Sequence, residues 1–196
     1  YKKTNTALRV AVDNIKNYTY FAQSYSIDNQ YNRLNVDVTT NQYQSPISLL
    51  TLELIQKIKF GIFRWENTIT YQKSSNNDIL GVPDLNIYSN LYMKFKIAKV
   101  LSCDLGADVR YFTEYYALDY SPALGSYTVQ DGTDKVKIGN YPFVNVYANF
   151  LLKHTRFFVM YSHVNAGSGS KRYFLTPHYP TNERIFRFGV SWNFFN

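Results

Sequence analysis

The sequence predicts an all-β protein: a transmembrane antiparallel up-and-down β-barrel, with about eight strands in this chain as part of a larger barrel. Three observations carry that expectation. Residues 184–196, RIFRFGVSWNFFN, put Phe186, Phe188, Val190, Trp192 and Phe194 on one phase of a two-residue repeat. Arg187, Gly189, Ser191 and Asn193 take the other phase, so the strand has one greasy and one wet face. Aromatics make up 18% of the residues, with 19 Tyr and 14 Phe, which fits aromatic girdles at two water–lipid interfaces better than a soluble domain. The predicted connections alternate between short and long, and a soluble barrel has no reason to sort its loops by side.

Taken in order, the first strand spans 6–15, where Leu8, Val10 and Val12 alternate with Arg9, Ala11 and Asp13. Residues 22–46 read as a long polar loop, within which 33–38 could extend a hairpin. Strand 47–56 turns Leu50, Leu52 and Leu54 away from Thr51 and Glu53, and the chain reverses near residue 58. Strand 61–73 sets Phe63, Trp65, Ile69 and Tyr71 against Arg64, Glu66, Thr68 and Thr70, with Asn67 interrupting the apolar phase. The Gly, Pro and Asn cluster in 74–86 punctuates the chain as a loop. Strand 87–98 has the cleanest alternation, Leu91, Met93, Phe95 and Ile97 opposite Tyr92, Lys94 and Lys96.

After a short reversal near residue 99, strand 101–116 keeps Asp104, Asp108 and Arg110 on a single phase. A long loop, 118–141, contains the Asp131–Gly132 turn signal. Strand 142–153 and a tight turn near residue 154 lead into strand 156–165, whose phase is ambiguous: Phe157, Val159 and Tyr161 compete with Phe158, Met160 and Val164. Loop 167–183 precedes the final strand, 184–195.

Composition excludes several classes. Mean hydropathy is −0.31 and no run of about 18 apolar residues occurs, so a transmembrane helix is excluded, while a barrel is not, because its polar lumen face lowers the average. Net charge is +7, but the basic residues are scattered along strands and turns, which argues against nucleic acid as a partner. The one cysteine, Cys103, allows neither an internal disulfide nor a Cys-based metal site. No signal peptide is visible at Tyr1, so the expectation is a mature chain or the later part of something longer. A Tyr-rich secreted sandwich or soluble ligand-binding barrel is the alternative on composition.

Alternation also sorts the candidate site residues. Arg9, Glu53, Arg64, Glu66, Lys94, Lys96, Asp104, Asp108 and Arg110 are expected to face the lumen, where they either cross-pair and plug a narrow barrel or line a wider one. Leu50, Leu52, Trp65, Leu91, Met93, Phe95, Phe186, Phe188 and Trp192 are expected to face lipid. No catalytic residue, metal or cofactor is expected, and the protein is not expected to be an enzyme. His154, His163 and His178 have no zinc-motif spacing, and Ser162 and His163 point to opposite faces of a strand. Asp104 and Asp108, four apart on a strand, are about 13 Å apart, too far for a glycosidase pair, and Arg110 is the expected partner for such acids. GSGSKR at 167–172 lacks the spacing and helix of a phosphate loop and reads as surface. The Tyr-rich 112–120 segment, with Tyr115 and Tyr116, reads as an interfacial anchor or a sugar-stacking rim.

Four stretches resemble the C-terminal region of the putative porins of Bacteroidetes outer membranes: GIFRWENTITYQKSS (61–75), GADVRYFTEYYALDYSPALG (106–125), GNYPFVNVYANFLLKHTRFFVMYSHVNAG (139–167) and YFLTPHYPTNERIFRFGVSWNFFN (173–196). The resemblance covers roughly 47–196 and is loose over the first 45 residues. It implies an outer-membrane porin for passive diffusion of small solutes, longer than this chain. The alternative is a closed small barrel with a structural, adhesive or complex-subunit role and no conductance. Expected partners are outer-membrane lipid and lipopolysaccharide, other outer-membrane proteins, and the barrel assembly machinery through the C-terminal strand. That strand departs from the usual aromatic ending, since Phe195 is followed by Asn196.

Overall fold

The computed structural model describes residues 2–30, 32–132, 134–168 and 173–194. Phe195, Asn196 and the 169–172 part of the GSGSKR run lie outside them. Among the described residues are fourteen strands and no helix: β1 (Lys2–Ile15), β2 (Tyr18–Ile27), β3 (Arg33–Tyr43), β4 (Ile47–Phe60), β5 (Phe63–Ser74), β6 (Leu85–Ile97), β7 (Leu101–Phe112), β8 (Asp119–Ser121), β9 (Ser126–Gln130), β10 (Phe143–Leu152), β11 (Thr155–Ser162), β12 (Phe174–Thr176), β13 (Tyr179–Pro180) and β14 (Ile185–Trp192).

Eight of them form one antiparallel up-and-down sheet in the order β1-β4-β5-β6-β7-β10-β11-β14. The sheet is open: β1 and β14 are its two edges and are not paired with each other. Its register joins the apolar phases of every strand. Ile58 faces Trp65, Trp65 faces Leu91, Leu91 faces Ala107, Ala107 faces Val146, Val146 faces Tyr161 and Tyr161 faces Phe186. One face is therefore apolar from edge to edge, and β11 joins it through Phe157, Val159 and Tyr161, resolving its ambiguous phase.

Tight reversals connect the strands at one end. The first lies at residues 61–62, not near residue 58, because Lys57 and Lys59 continue the alternation of β4 up to Phe60, which pairs with Phe63. Gly61 makes the turn in the left-handed region at φ +57, where a glycine has no Cβ penalty. Ala98 and Lys99 (φ 48 and 62) and Lys153 (φ 51) adopt the same backbone in the other two.

The opposite end carries the long connections, and these are more structured than the sequence suggests. The segment read as loop 22–46 holds most of the β2–β3 hairpin, which begins at Tyr18, and β2 pairs in parallel with β9 to give a four-stranded sheet, β3-β2-β9-β8. β7 ends at Phe112, short of the expected 116, and the chain continues through a single bridge between Tyr115 and Ile138. The packed core sits here: Ile47, Asp119, Thr128 and Pro177 are almost wholly buried, with Ala22, Val129, Ile138, Tyr141 and Tyr173 close behind. The large sheet instead leaves its apolar face uncovered, Phe188 being 74% and Leu8 72% exposed.

Candidate functional site

The polar face of the large sheet is the candidate site. All nine residues expected to face a lumen share it: Arg9 is opposite Glu53, Glu53 opposite Thr70, Arg64 opposite Tyr92, Glu66 opposite Asn90, Lys94 opposite Asp104, Lys96 opposite Ser102, Asn90 opposite Asp108 and Tyr88 opposite Arg110. The nine residues expected to face lipid share the other face. Leu50 and Leu52 extend it on β4, Met93 pairs with Leu105, Phe95 with Cys103, Phe188 with Val159 and Trp192 with Thr155.

Few of the charges on the polar face neutralise one another. Lys94 Nζ lies 3.5 Å from Asp104 Oδ2. The expected role of Arg110 as partner to the acids is not what forms: its guanidinium lies 5.4 Å from the Tyr88 ring centroid, and Asp108 accepts a 2.9 Å hydrogen bond from Asn145 Nδ2. A cation over an aromatic face keeps its charge while giving up some water. Tyr92 donates to Glu66 Oε1 at 3.2 Å and Tyr147 donates to Asn90 Oδ1 at 2.8 Å.

Two tyrosines close over Gly106. A Cβ placed there would lie 2.5 Å from Tyr92 Cβ and 2.9 Å from the Tyr147 hydroxyl, so only a glycine fits. At Gly189 the Phe158 ring takes the same space, at 2.5 Å, which puts Phe158 on the polar face. Alternation alone puts Tyr92 and Tyr147 on the polar phase without making them site candidates, whereas sequence reasoning missed Tyr88, Lys57 and Lys59. For the two lysines the signal was present: KIKF keeps the phase of Glu53.

Three long connections meet around a second cluster. Asp119 is wholly buried, and its Oδ2 lies 3.1 Å from Arg33 Nη2 and 3.3 Å from His178 Nδ1. Its Oδ1 accepts a 2.9 Å hydrogen bond from the Tyr120 amide. His178 Nε2 lies 3.1 Å from the Tyr25 hydroxyl, and Arg33 stacks 4.5 Å from the centre of the same ring. Burial pushes the Tyr25 hydroxyl above its ordinary pKa, with Arg33 opposing the rise and Asp119 adding to it. β2, β3, β8 and the β12–β13 turn are thereby tied together. A second knot joins Tyr141 to His163 Nε2 at 2.9 Å, while His163 Nδ1 faces the Asn182 carbonyl at 3.0 Å.

Hydrogen bonds also appear on the apolar face. Trp65 donates to Ser89 Oγ at 2.9 Å, and Ser89 donates to Asn67 Oδ1 at 2.7 Å, so the interruption at Asn67 is met from the neighbouring strand.

Against known proteins, the family model described as Putative porin matches residues 1–196, so the match takes in the first 45 residues as well. Neither the curated proteins nor the solved structures provide a match.

Proposed function

Because this chain belongs to the Putative porin family, we propose that its large sheet is a section of an outer-membrane β-barrel wall, through which small solutes diffuse passively. The observation that supports this reading is the edge-to-edge division of one eight-stranded sheet into an apolar face left open to its surroundings and a polar face. In water such a sheet is untenable. Moving each large side chain such as Phe186, Phe188 or Trp192 out of water contributes roughly 1.5–3 kcal/mol. Hydrocarbon against this face, with the amides between neighbouring strands paired along the ladders and those at the outer edges of β1 and β14 left for further strands, is the physical solution.

The lumen side then carries Arg9, Glu53, Arg64, Glu66, Lys94, Lys96, Asp104, Asp108 and Arg110, and the lipid side carries Leu50, Leu52, Trp65, Leu91, Met93, Phe95, Phe186, Phe188 and Trp192. The short turns take the periplasmic side and the structured long connections the cell exterior, the arrangement usual for outer-membrane barrels. An eight-stranded barrel closed on itself is filled by its own side chains, whereas about 16–18 strands enclose water. The open edges of β1 and β14 favour the wider wall, with further strands between them. Membrane lipid, lipopolysaccharide and the assembly machinery are the partners this reading implies.

Single-channel recording on the purified full-length protein in planar bilayers tests the proposal. Discrete conductance steps are expected; a correctly inserted protein with none would overturn it.

A further inference from the structure

Three cations stand abreast on the polar face. Lys3 on β1 is opposite Lys59 on β4, and Lys59 is opposite Arg64 on β5. Like charges directly opposite on one face of a sheet repel and cost stability. Nothing among the described residues relieves these: none of the three forms an ion pair there. Arg64 uses Nη1 on the carbonyls of Gly61 and Phe63, at 2.7 and 2.8 Å, so its turn fixes the guanidinium without cancelling its charge.

Lys57 adds a fourth cation two residues along β4, on the same face. It stands opposite Glu66, whose Oε1 is engaged by the Tyr92 hydroxyl. Lys3, Lys57, Lys59 and Arg64 line one concavity of about 530 Å3, together with Asn5 and Glu66. The surrounding rows share the bias. Toward the turns the polar face carries Lys94, Lys96 and Arg156, and Asp104 there is already taken by Lys94. Toward the long connections the charges are mixed, Arg9 against Glu53 and Asp108 near Arg110.

Resting on the reading of this face as a lumen wall, we propose that Lys3, Lys57, Lys59 and Arg64 form an anion-binding mouth at its turn end, taking small oxyanions of the phosphate type. A tetrahedral oxyanion presents several charged oxygens, so it can be shared by cations projecting from three neighbouring strands about 4.8 Å apart. A single monatomic ion cannot bridge them in that way. The repulsion stored in the row becomes binding energy when the anion arrives, and a cationic mouth concentrates anions before they enter the lumen.

The test uses the full-length protein in planar bilayers, with inorganic phosphate added against a chloride current. Phosphate is expected to reduce the current of the wild type. In the double variant Lys57→Gln/Lys59→Gln the block is expected to weaken about tenfold, from the loss of two nearby charges. The wild-type reversal potential in a salt gradient is expected on the anion side and to move toward the cation side in the variant. Unchanged block in the variant, or cation preference in the wild type, would overturn the mouth while leaving the porin reading intact. If no channel opens, the porin reading fails, and calorimetric titration of detergent-solubilised protein with phosphate decides the site alone: binding lost in the variant upholds it, equal or absent binding overturns it. Lys59→Gln relieves the strained row while Lys57→Gln removes the charge opposite Glu66, and heat denaturation without phosphate is expected to show the double variant about as stable as the wild type.

Discussion

His178 and Arg33 both reach the same oxygen of Asp119, Oδ2, at 3.3 and 3.1 Å, from different connections of the chain. Because Asp119 is wholly buried, this is an anchor for the whole long-connection assembly. Removing the carboxylate leaves Arg33, 24% exposed, without its partner, at a cost below the roughly 3–5 kcal/mol of stranding a fully buried charge. Asp119→Asn is expected to loosen β2, β3 and the β12–β13 turn while sparing the large sheet. Limited trypsin digestion of the refolded protein checks it: faster cleavage after Arg33 and Lys135 with the strands intact is the expected pattern, and a wild-type digestion rate would refute the anchor.

Acid should release the tip of the β2–β3 hairpin first. Asp28 Oδ1 accepts from the amides of Gln30 and Asn32, both at 2.8 Å, and Asn32 Nδ2 reaches Oδ2 at 3.0 Å. The side-chain bond from Asn32, followed by its amide, holds the carboxyl below its ordinary pKa. A carboxylate depressed in the folded state contributes stability above the unfolded pKa, about 3.9, and that contribution is lost as pH falls through the lower folded value. Hydrogen exchange at the Gln30 and Asn32 amides should accelerate below about pH 4, beyond the intrinsic trend, and Asp28→Asn should show no such acid step. A step of equal size in the variant would remove Asp28 as its cause.

Gly106→Ala should strain the centre of the polar wall. The added Cβ would meet Tyr92 Cβ at 2.5 Å and the Leu91 carbonyl at 2.8 Å, neither of which moves when a side chain rotates, so β6 and β7 must shift apart; only the Tyr147 hydroxyl, at 2.9 Å, can swing away. Overpacking of this kind costs about 1–3 kcal/mol. Urea unfolding from lipid vesicles measures it; a variant within error of wild type would mean that β6 and β7 shift apart at no cost.

The division of faces was legible because a period of two needs no partner information: Leu91 and Lys94 declare opposite sides from spacing alone. Register came less easily. The turn at Gly61 sits three residues beyond the predicted reversal because Lys57 and Lys59 look like turn chemistry, although they keep the strand's phase. The assembly around Asp119 was unreadable, since Arg33 and His178 come from distant parts of the sequence and the parallel pairing of Ala22 with Val129 joins separate loops. The ambiguous β11 shows a middle case: Phe158 looked equivalent to Phe157 until the missing side chain at Gly189 explained its place.

A charge placed on the two faces should give opposite results. Leu91 is 52% exposed on the apolar face, and if that face meets lipid as proposed, Lys introduced there is desolvated by hydrocarbon, at about 2–4 kcal/mol near the membrane midplane. Asn86→Lys, on the polar face of the same strand, should change stability by less than about 0.5 kcal/mol. Folding into vesicles of defined lipid measures both, and equal costs would refute the lipid and lumen assignment.

Whether β1 and β14 meet decides the width of the wall. Adjacent strands in a closed barrel bring facing Cβ atoms to about 4.5–5.5 Å, within reach of a disulfide, whereas each strand interposed adds about 4.8 Å. Leu8 and Phe188 lie mid-strand on the apolar face of the two edges, so they suit a cysteine scan once the buried Cys103 is replaced by serine. Phe188→Cys would be paired in turn with Thr6→Cys, Leu8→Cys and Val10→Cys to cover neighbouring registers, and each double variant oxidised in its native membrane. The proposed wider wall, with further strands between the edges, predicts no internal crosslink in any of them. A disulfide in even one register, seen as a shift in mobility on a non-reducing gel, would close the sheet at eight strands. Such a barrel would have a lumen filled by Tyr92, Tyr147 and their neighbours, and the proposal of a conducting pore would fall with it.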